Sequence, residues 1–288
     1  FHTDLISGDA YQIYRQMNIG TAKPTSAELQ QYTHYLIDIA EPGEPYSAAR
    51  FCQMADTAIR KVNKAGKIPI LVGGTGLYVQ SLLEGYQFGA SHADEAARQK
   101  AKETIQSLTE DELKAYIETQ TGWQPADWHE LLANTNRLVR LMTAIHMGEG
   151  RQFVRAAKAD GLVYHAYVIG LSLPRDVLYA RIEKRIDMMM QSGWIEEVRQ
   201  LLAQGISPDC QAMKAIGYQE LAAYLQGTMP LELAVEQIKK RTRHFAKRQL
   251  TWYRRMPYIH WFEKNKYPSE AALAADVIHH IPFTRERI

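Results

Sequence analysis

Residues 68–78 have the sequence IPILVGGTGLY, in which a short apolar run is followed by a glycine-rich turn and further apolar residues. The run is typical of a compact buried strand, and a helix is predicted from Leu77 onward. A glycine-rich turn from strand to helix lets backbone N–H groups approach an anion at the positive end of the helix. In open α/β sheets such turns lie at the carboxyl edge, where ligands bind. The stretch predicts a ligand site in which Thr75 offers a hydroxyl, although a tight turn that only requires glycine angles explains it equally well.

The residues before this turn alternate between strand-like and helical patterns. Residues 5–7 and 35–39 are predicted as strands, and residues 47–65 as a helix that Ser47 caps and Gly66 ends. This alternation predicts an α/β fold with a mainly parallel sheet.

The pattern changes in the middle of the chain. Residues 89–158 show helical periodicity with little strand signal, whereas residues 164–173 are again strand-like, and a long helix is predicted for residues 231–255. We therefore predict an α/β core of residues 1–88 and 159–288, interrupted by a helical insertion domain.

The composition excludes several classes of protein. The chain has 288 residues, 46% of them apolar, and a formal net charge of +2, so any nucleic-acid signal must come from local clusters of charge. The two cysteines, Cys52 and Cys210, form no CxxC pair, which argues against a disulfide framework or a cysteine zinc site and fits a reducing cytoplasm. No apolar run approaches the roughly 20 residues that cross a bilayer, and no signal peptide is present.

Asp9 directly follows the first predicted strand, at the edge where ligands bind. There a carboxylate can act as a general base or hold the water shell of a metal ion, although aspartate after a strand is also a common helix N-cap. The nearby loop of residues 19–24, IGTAKP, combines a glycine, a hydroxyl and Lys23 in a way that suits phosphate. The same composition is unremarkable in a surface loop.

The strongest cluster of charge lies between Gln237 and Phe262, where eight basic residues occur without an acidic one. Trp252 and Tyr253 add aromatic surface to this stretch. The combination indicates contact with the phosphate backbone of RNA, while the alternative is a solvated basic helix whose aromatic residues pack inward. We interpret it as an RNA surface, with these residues as contacts: Arg243, Lys247 and Arg248.

The order of these motifs and their amino-acid sequences, taken together, are more specific than any single motif. Six stretches resemble, in the same order, successive motifs of bacterial tRNA dimethylallyltransferases: residues 7–24, 34–51, 66–85, 173–198, 213–227 and 243–255. The resemblance is most specific at GTAKP, VGGTGLY and AKRQLTW, and loosest within residues 90–130.

The resemblance implies a parallel sheet of the P-loop NTPase type and transfer of a dimethylallyl group from its diphosphate to N6 of adenine 37 of tRNA, with Mg²⁺. The chemistry agrees with this expectation. An amine conjugated to a purine is a poor nucleophile that a carboxylate base helps. The departing diphosphate needs cations and backbone donors. The adenine must be flipped out of its loop to be reached.

The resemblance also implies roles for individual residues. Asp9 corresponds to an aspartate that accepts the proton of the adenine amine, and Thr75 to a threonine that contacts the reacting groups. The residues expected to contact the tRNA anticodon stem-loop, besides those of the basic stretch, are Asp9, Ala10, Tyr11, Gln12, Asn136, Arg137 and Arg140. The candidates for the diphosphate are Lys23, Arg181, Arg185 and Lys214. Arg181 and Arg185 could equally belong to a solvated ion-pair face with Glu183 and Asp187.

One feature of the family is missing. Its fold opens with a strand, a P-loop of the type GPTxxGKT and a helix, but only eight residues precede Asp9 here, and the first of them is Phe1. We expect that a segment preceded Phe1. The 288 residues without it are expected to lack transfer activity and to melt below a restored chain, because two strands would lose their neighbour.

Three other functions compete with a monomeric tRNA dimethylallyltransferase of the cytoplasm. A small-molecule kinase of the P-loop type shares the glycine turns, but not the long basic helix. An adenylate isopentenyltransferase acting on free nucleotides would have no use for that helix or for the helical insertion. A truncated form that binds tRNA without catalysis remains the third alternative.

Overall fold

The computed structural model describes residues 2–86, 88, 95–155 and 161–282. The chain divides into two compact units, one formed by Phe1–Leu83 with Tyr164–Ile288 and the other by Glu84–Val163. The boundary residues expected from the sequence, 89 and 158, lie outside the described residues.

The first unit contains a three-stranded parallel sheet. Strand β1 (Leu5–Ser7) lies in the middle, between β2 (His34–Tyr35) and β3 (Ile70–Val72). The helices around it are α1 (Ser26–Gln31), α2 (Ala48–Lys64) and α3 (Gly76–Leu83). Ser47 caps α2 as predicted, because its side chain accepts a hydrogen bond from the N–H of Arg50.

Strand β2 is shorter than the sequence predicts. It ends at Tyr35, because Leu36 and Asp38 adopt left-handed backbone angles, with φ of 65° and 53°. Leu36 is buried in this conformation, and the carboxylate of Asp38 lies 2.6 Å from the ammonium of Lys23. The largely apolar residues 36–39, predicted as part of this strand, therefore form a partly buried bend and not a strand.

A second, two-stranded parallel sheet belongs to the same unit. It pairs β4 (Val168–Ser172) with β5 (Ile259–Glu263). The intervening chain forms the helices α9 (Arg175–Gln191), α10 (Trp194–Ala203), α11 (Tyr218–Leu225) and α12 (Leu231–Tyr253), and α13 (Glu270–His280) follows β5. Pro230 precedes α12 directly, as predicted.

One apolar core joins the elements of this unit. Its largest fully buried side chains include Tyr14, Phe51, Trp194 and Tyr218. Phe51 of α2 stacks on Tyr78 of α3, with ring centroids 4.6 Å apart. The core contains residues of β1, α2, α3, α9, α10, α11 and α12, so the helices of the C-terminal half are fixed to the first sheet.

The second unit is helical, and its described part contains no strand. Its helices are α4 (Glu95–Ser107), α5 (Glu110–Thr121), α6 (Trp128–Ala133), α7 (Thr135–His146) and α8 (Gly150–Arg155). Its core is formed by Ala101, Ile117, Leu141 and Met142, which are all buried. Within the described parts of both units, no helix has the length and apolarity needed to cross a membrane.

Candidate active site

Two turns meet at the carboxyl edge of the first sheet: residues 8–12 after β1, here called the aspartate turn, and residues 73–76 after β3, here called the glycine turn. Gly8 donates from its backbone N to the carbonyl of Val72 at 2.8 Å, and Thr75 N donates to the carbonyl of Gly8 at 3.4 Å. A Cβ on Gly73 would lie 2.4 Å from the carbonyl oxygen of Gly8. The two turns are therefore in backbone contact, and position 73 requires glycine.

The aspartate turn brings Asp9 and Thr75 together. The backbone N–H of Ala10 donates to the Thr75 hydroxyl oxygen at 3.0 Å. One carboxylate oxygen of Asp9, Oδ1, accepts from the backbone N of Tyr11 at 2.8 Å and of Gln12 at 3.2 Å. Among the described residues no hydrogen bond reaches the other oxygen, Oδ2. Asp9 is thus held by one oxygen and can offer the other to a substrate.

The surroundings of Asp9 make its carboxylate more basic. Burial raises the pKa of Asp9 above its ordinary value, although the hydrogen bonds from Tyr11 and Gln12 oppose that shift. The hydroxyl of Tyr253 is buried and has no hydrogen-bond partner among the described residues. Burial and the negative charge of Asp9 raise the pKa of Tyr253 to about 12. The site combines a basic carboxylate with a protonated phenol nearby.

The side chain of Gln12 points into the protein. Its Oε1 accepts a hydrogen bond from the Ser7 hydroxyl at 3.0 Å, and its Nε2 donates to the carbonyls of Thr21 and Ala22, both at 3.3 Å. The amide of Gln12 therefore ties the aspartate turn to residues 17–23, here called the brace loop. Ala10 and Tyr11, which are also expected to contact tRNA, make no side-chain hydrogen bond to the brace loop among the described residues.

The structure gives Lys23 a different role from the diphosphate contact that the sequence predicts. Its ammonium donates to the carbonyl of Tyr14 at 2.8 Å, to Oδ1 of Asn18 at 3.0 Å and to Oδ1 of Asp38 at 2.6 Å. A lysine has three donors, so all of them are used, and the side chain is only 2% exposed. Burial lowers the pKa of Lys23, although Asp38 opposes that shift. Lys23 closes the brace loop and has no donor left for a phosphate.

The brace loop packs tightly on the helices of the C-terminal half. The indole of Trp194, at the start of α10, lies between Gly20 of the loop and Gly217 before α11. A Cβ on Gly20 would come within 2.1 Å of the Trp194 Nε1, and one on Gly217 within 2.0 Å of the ring. Both glycines are required by this close approach, and Gly217 also has a φ of 97°.

Helix α12 packs against the glycine turn. The side-chain amide of Gln249 donates to the carbonyl of Gly74 at 2.7 Å. A Cβ on Gly74 would lie 2.4 Å from the Gln249 Nε2, and one on Gly76 would lie 2.5 Å from the Trp252 ring. The inner face of α12 thus fixes the turn that carries Thr75. Sequence analysis singled out the AKRQLTW stretch but assigned it to RNA alone.

Comparison with known proteins identifies the family of this chain. Residues 12–256 match the family model described as IPP transferase. The chain belongs to the IPP transferase family. It is 41% identical to the tRNA dimethylallyltransferase of Pelotomaculum thermopropionicum, over 95% of this chain and 87% of that protein. The tRNA dimethylallyltransferase of Bacillus subtilis is 39% identical, over 91% of this chain and 83% of that protein. The resemblance stated from the motifs is confirmed.

Solved structures of the IPP transferase family have the same fold. The tRNA isopentenylpyrophosphate transferase of Staphylococcus epidermidis superposes with a TM-score of 0.70 at 34% identity, over 98% of this chain and 91% of that one. A eukaryotic dimethylallyltransferase acting on tRNA superposes with a TM-score of 0.75 over 100% of this chain and 74% of that one. At 23% identity it supports the fold only. The predicted α/β fold class is confirmed.

In this IPP transferase three of the basic residues of α12 have counter-charges that the sequence could not reveal. Their partners lie on other helices: Lys239 pairs with Asp187, Arg241 with Glu220, and Arg243 with Glu183. Arg243, an expected tRNA contact, lies 2.5 Å from the carboxylate of Glu183 and is therefore committed to α9. Lys247 and Arg248 are exposed, and within the described residues no ion pair involves them.

The remaining residues expected to bind the diphosphate lie on the surface. Arg181 and Arg185 of α9 are exposed, one helical turn apart, and Glu183 between them is the partner of Arg243. Lys214 is exposed in a single 3₁₀ turn, Ala212–Lys214. The described contacts do not join these three cations to Asp9 or Thr75.

The expected tRNA contacts of the insertion belong to the second unit of this transferase. Asn136, Arg137 and Arg140 lie in α7 and are exposed, and Asn134 caps that helix by accepting from the Arg137 N–H. The guanidinium of Arg140 lies 5.7 Å from the ring centroid of Phe153. The three side chains are thus available on one unit, while the aspartate turn belongs to the other.

The resemblance implies Mg²⁺, for which carboxylate and other oxygen ligands are suited. No group of three or more His, Cys, Asp or Glu side chains among the described residues is placed to hold a metal ion. Mg²⁺ usually binds through one or two carboxylates together with substrate phosphates, so such a cluster is not required for it.

Proposed function

We propose that this protein transfers a dimethylallyl group from dimethylallyl diphosphate to N6 of adenine 37 of tRNA, next to the anticodon. The observation that carries the proposal is the arrangement of Asp9 in a member of this family. Its carboxylate is held by two backbone N–H groups through one oxygen, and the other oxygen has no partner among the described residues. A basic carboxylate beside a hydroxyl suits removal of a proton from an amine.

In the proposed reaction, N6 of adenine forms a bond to C1 of the dimethylallyl group as the C1–O bond to the diphosphate breaks. The diphosphate leaves with the electron pair, and the amine proton passes to Oδ2 of Asp9. The Thr75 hydroxyl accepts a hydrogen bond from the backbone N–H of Ala10 and donates to no group among the described residues, so it can donate its proton to the substrate. Burial of Asp9 limits the access of water to the carboxylate.

We propose that the departing charge meets exposed cations. Arg181, Arg185 and Lys214 stay in this set, and Lys23 does not, because its three donors are used inside the brace loop. Mg²⁺ is proposed to enter with the diphosphate, because hard oxygen ligands of a substrate phosphate suit it, and it would neutralise the leaving group. A monomer acting in the cytoplasm, where tRNA is available, completes the proposal.

The decisive experiment uses the full-length protein with dimethylallyl diphosphate and an anticodon stem-loop. We expect mass spectrometry of the digested RNA to detect dimethylallyl adenosine, and none from a matched stem-loop with guanine at position 37. Product from free adenylate but not from RNA would favour the alternative of a nucleotide-modifying enzyme. Tight RNA binding without product would favour the non-catalytic form.

The exposed part of α12 is the proposed RNA surface of the first unit. Lys247 and Arg248 are exposed there beside Phe245, over whose ring the Arg248 guanidinium lies at 5.9 Å. Cations next to exposed aromatic rings suit an RNA backbone with unstacked bases. Because Arg243 is bonded to Glu183, it contributes less than its position in the sequence suggests.

Replacing Lys247 and Arg248 by glutamate should therefore weaken binding of an anticodon stem-loop at least tenfold. Two lost phosphate contacts should reduce the slope of log K against log[salt] by roughly 1.5. The control reverses two exposed lysines of α2, Lys61 and Lys64, and changes the net charge by the same amount. Filter binding between low and moderate salt measures both variants, and equal slopes for the two would contradict the assignment of α12.

A further inference from the structure

Backbone N–H groups of the brace loop bind a carboxylate of the protein itself, that of Glu197. Asn18 and Ile19 donate from their backbone N to Oε2 of Glu197, both at 2.8 Å, and Gly20 N donates to Oε1 at 3.2 Å. The hydroxyl of Tyr218 donates to the same Oε1 at 2.6 Å. Consecutive backbone N–H groups that converge on one point form an anion site. Here the site is filled by a side chain of α10, and so the loop is not open to a phosphate.

The brace loop is joined to the catalytic carboxylate by further hydrogen bonds. The carbonyls of Thr21 and Ala22 accept from the side-chain amide of Gln12, whose backbone N donates to Oδ1 of Asp9. A continuous chain therefore runs from Glu197 through the loop and Gln12 to Asp9. Each link is a hydrogen bond of 3.3 Å or less.

The loop needs these contacts because its backbone is strained. Ala22 in the loop and Gln16 directly before it adopt left-handed angles, with φ of 50° and 64°, although neither is glycine. Such angles are unfavourable for residues other than glycine and persist only where the surroundings enforce them. Lys23 fixes the loop from one side and Glu197 from the other, and so the loss of either anchor lets it relax.

We propose that Glu197 is a positioning residue of the transferase site: its carboxylate holds the brace loop, and through Gln12 it sets the orientation of Asp9. Glu197 contacts neither substrate nor reacting atoms and acts only through this chain. The inference rests on the proposed function for its kinetic readout, whereas its structural readout needs no substrate.

The test is Glu197→Gln in the full-length protein. The amide has one oxygen acceptor for four donors, and its own N–H₂ would face the backbone N–H groups. A small displacement of a catalytic group can cost about 10²-fold, so kcat should fall on the order of 10- to 100-fold while KM for the stem-loop stays unchanged. The acid limb of the kcat profile should move to higher pH, because weaker hydrogen bonds to Asp9 leave its pKa higher.

The matched control is Glu196→Gln, at the neighbouring position on α10. Glu196 is exposed, and within the described part of the chain its partners are side chains of its own helix, Arg199 and Gln200. Its replacement should leave kcat within about twofold of the parent. Hydrogen exchange should show faster exchange at Asn18, Ile19 and Gln12 in Glu197→Gln than in Glu196→Gln, with or without substrate.

Several outcomes separate the possibilities. If the parent makes no product, the proposed function fails, and the exchange at Gln12 alone decides the inference. If Glu197→Gln is less stable but keeps the parental kcat and acid limb per folded molecule, Glu197 only supports the fold and the proposal is wrong. If Glu197→Gln does not fold, Tyr218→Phe decides, since it removes one donor and keeps the carboxylate. A lower kcat for Tyr218→Phe at parental KM supports the proposal, and parental kcat overturns it.

Discussion

Replacing Asp9 by asparagine is expected to lower the rate of prenyl transfer by a factor on the order of 10² to 10⁴, the usual contribution of a general base. Asparagine keeps a carbonyl oxygen that can accept from the N–H groups of Tyr11 and Gln12, so the aspartate turn should keep its shape. What it loses is the free oxygen that takes the proton. Affinity for the stem-loop should change little, because no phosphate contact is removed.

Single-turnover transfer with a radiolabelled prenyl donor measures this effect, together with stem-loop binding. Asp111→Asn is the control, because Asp111 has a side chain that is 96% exposed and lies in the other unit. It should transfer at the parental rate. Near-normal turnover by Asp9→Asn would remove Asp9 from the chemistry.

The pH dependence follows from the same carboxylate. Because burial raises the pKa of Asp9 above its ordinary 3.8, the rate should fall as pH drops through that higher value. The acid limb of the parent should therefore lie above the range of an exposed aspartate.

Stability should depend on pH in the opposite direction to the rate. Because the pKa of Asp9 is raised in the folded state, ionisation of Asp9 opposes folding, and stability falls as pH rises through that pKa. Asp9→Asn should be at least as stable as the parent at pH 7.

The largest effect on stability is expected from Arg241→Gln. Glu220 is buried, with a side chain only 2% exposed, and Arg241 pairs with its carboxylate. Among the described residues, the one other donor to that carboxylate is the backbone N–H of Gly217, at 2.7 Å. Removing one partner of a buried ion pair leaves an uncompensated charge. The free energy of unfolding should fall by about 3 kcal/mol, the low end for such pairs because Arg241 itself is 41% exposed.

Urea unfolding at pH 7 with a constant m-value measures this change. Lys240→Gln is the matched control, because Lys240 is the next residue on α12, is exposed and has no ion pair among the described residues. It should change stability by less than about 0.5 kcal/mol. Equal stability of the two variants would mean that Arg241 does not stabilise the carboxylate of Glu220 in the folded protein.

Short-range patterns were enough to predict the elements that position the site. The compact runs at β1 and β3, each followed by glycine, placed both turns at one sheet edge, and Ser47 and Pro230 marked helix starts that the structure confirms. These features depend on residues close together in the chain. They are visible without knowing the tertiary structure.

Long-range partners could not be predicted in the same way. Glu196 and Glu197 are adjacent in an acidic first turn of α10, and only the helix orientation decides that one is exposed and the other binds the brace loop. Likewise, Lys23 looked suited to phosphate until its three acceptors were located. The acidic partners of Arg241 and Arg243 on α12 could not be predicted for the same reason, since Glu220 and Glu183 are remote in sequence.

The packing of the Trp194 indole between two glycines limits which side chains these three positions can exchange between relatives. Gly20, Trp194 and Gly217 come from three distant parts of the chain, yet their surfaces fit only as a set. A relative with a smaller side chain in place of Trp194 can accept alanine at the positions of Gly20 and Gly217, whereas this protein cannot. In a chimera that combines the N-terminal half of one relative with the C-terminal half of another, the side chains at these three positions will therefore clash or leave a gap unless all three are taken from the same parent.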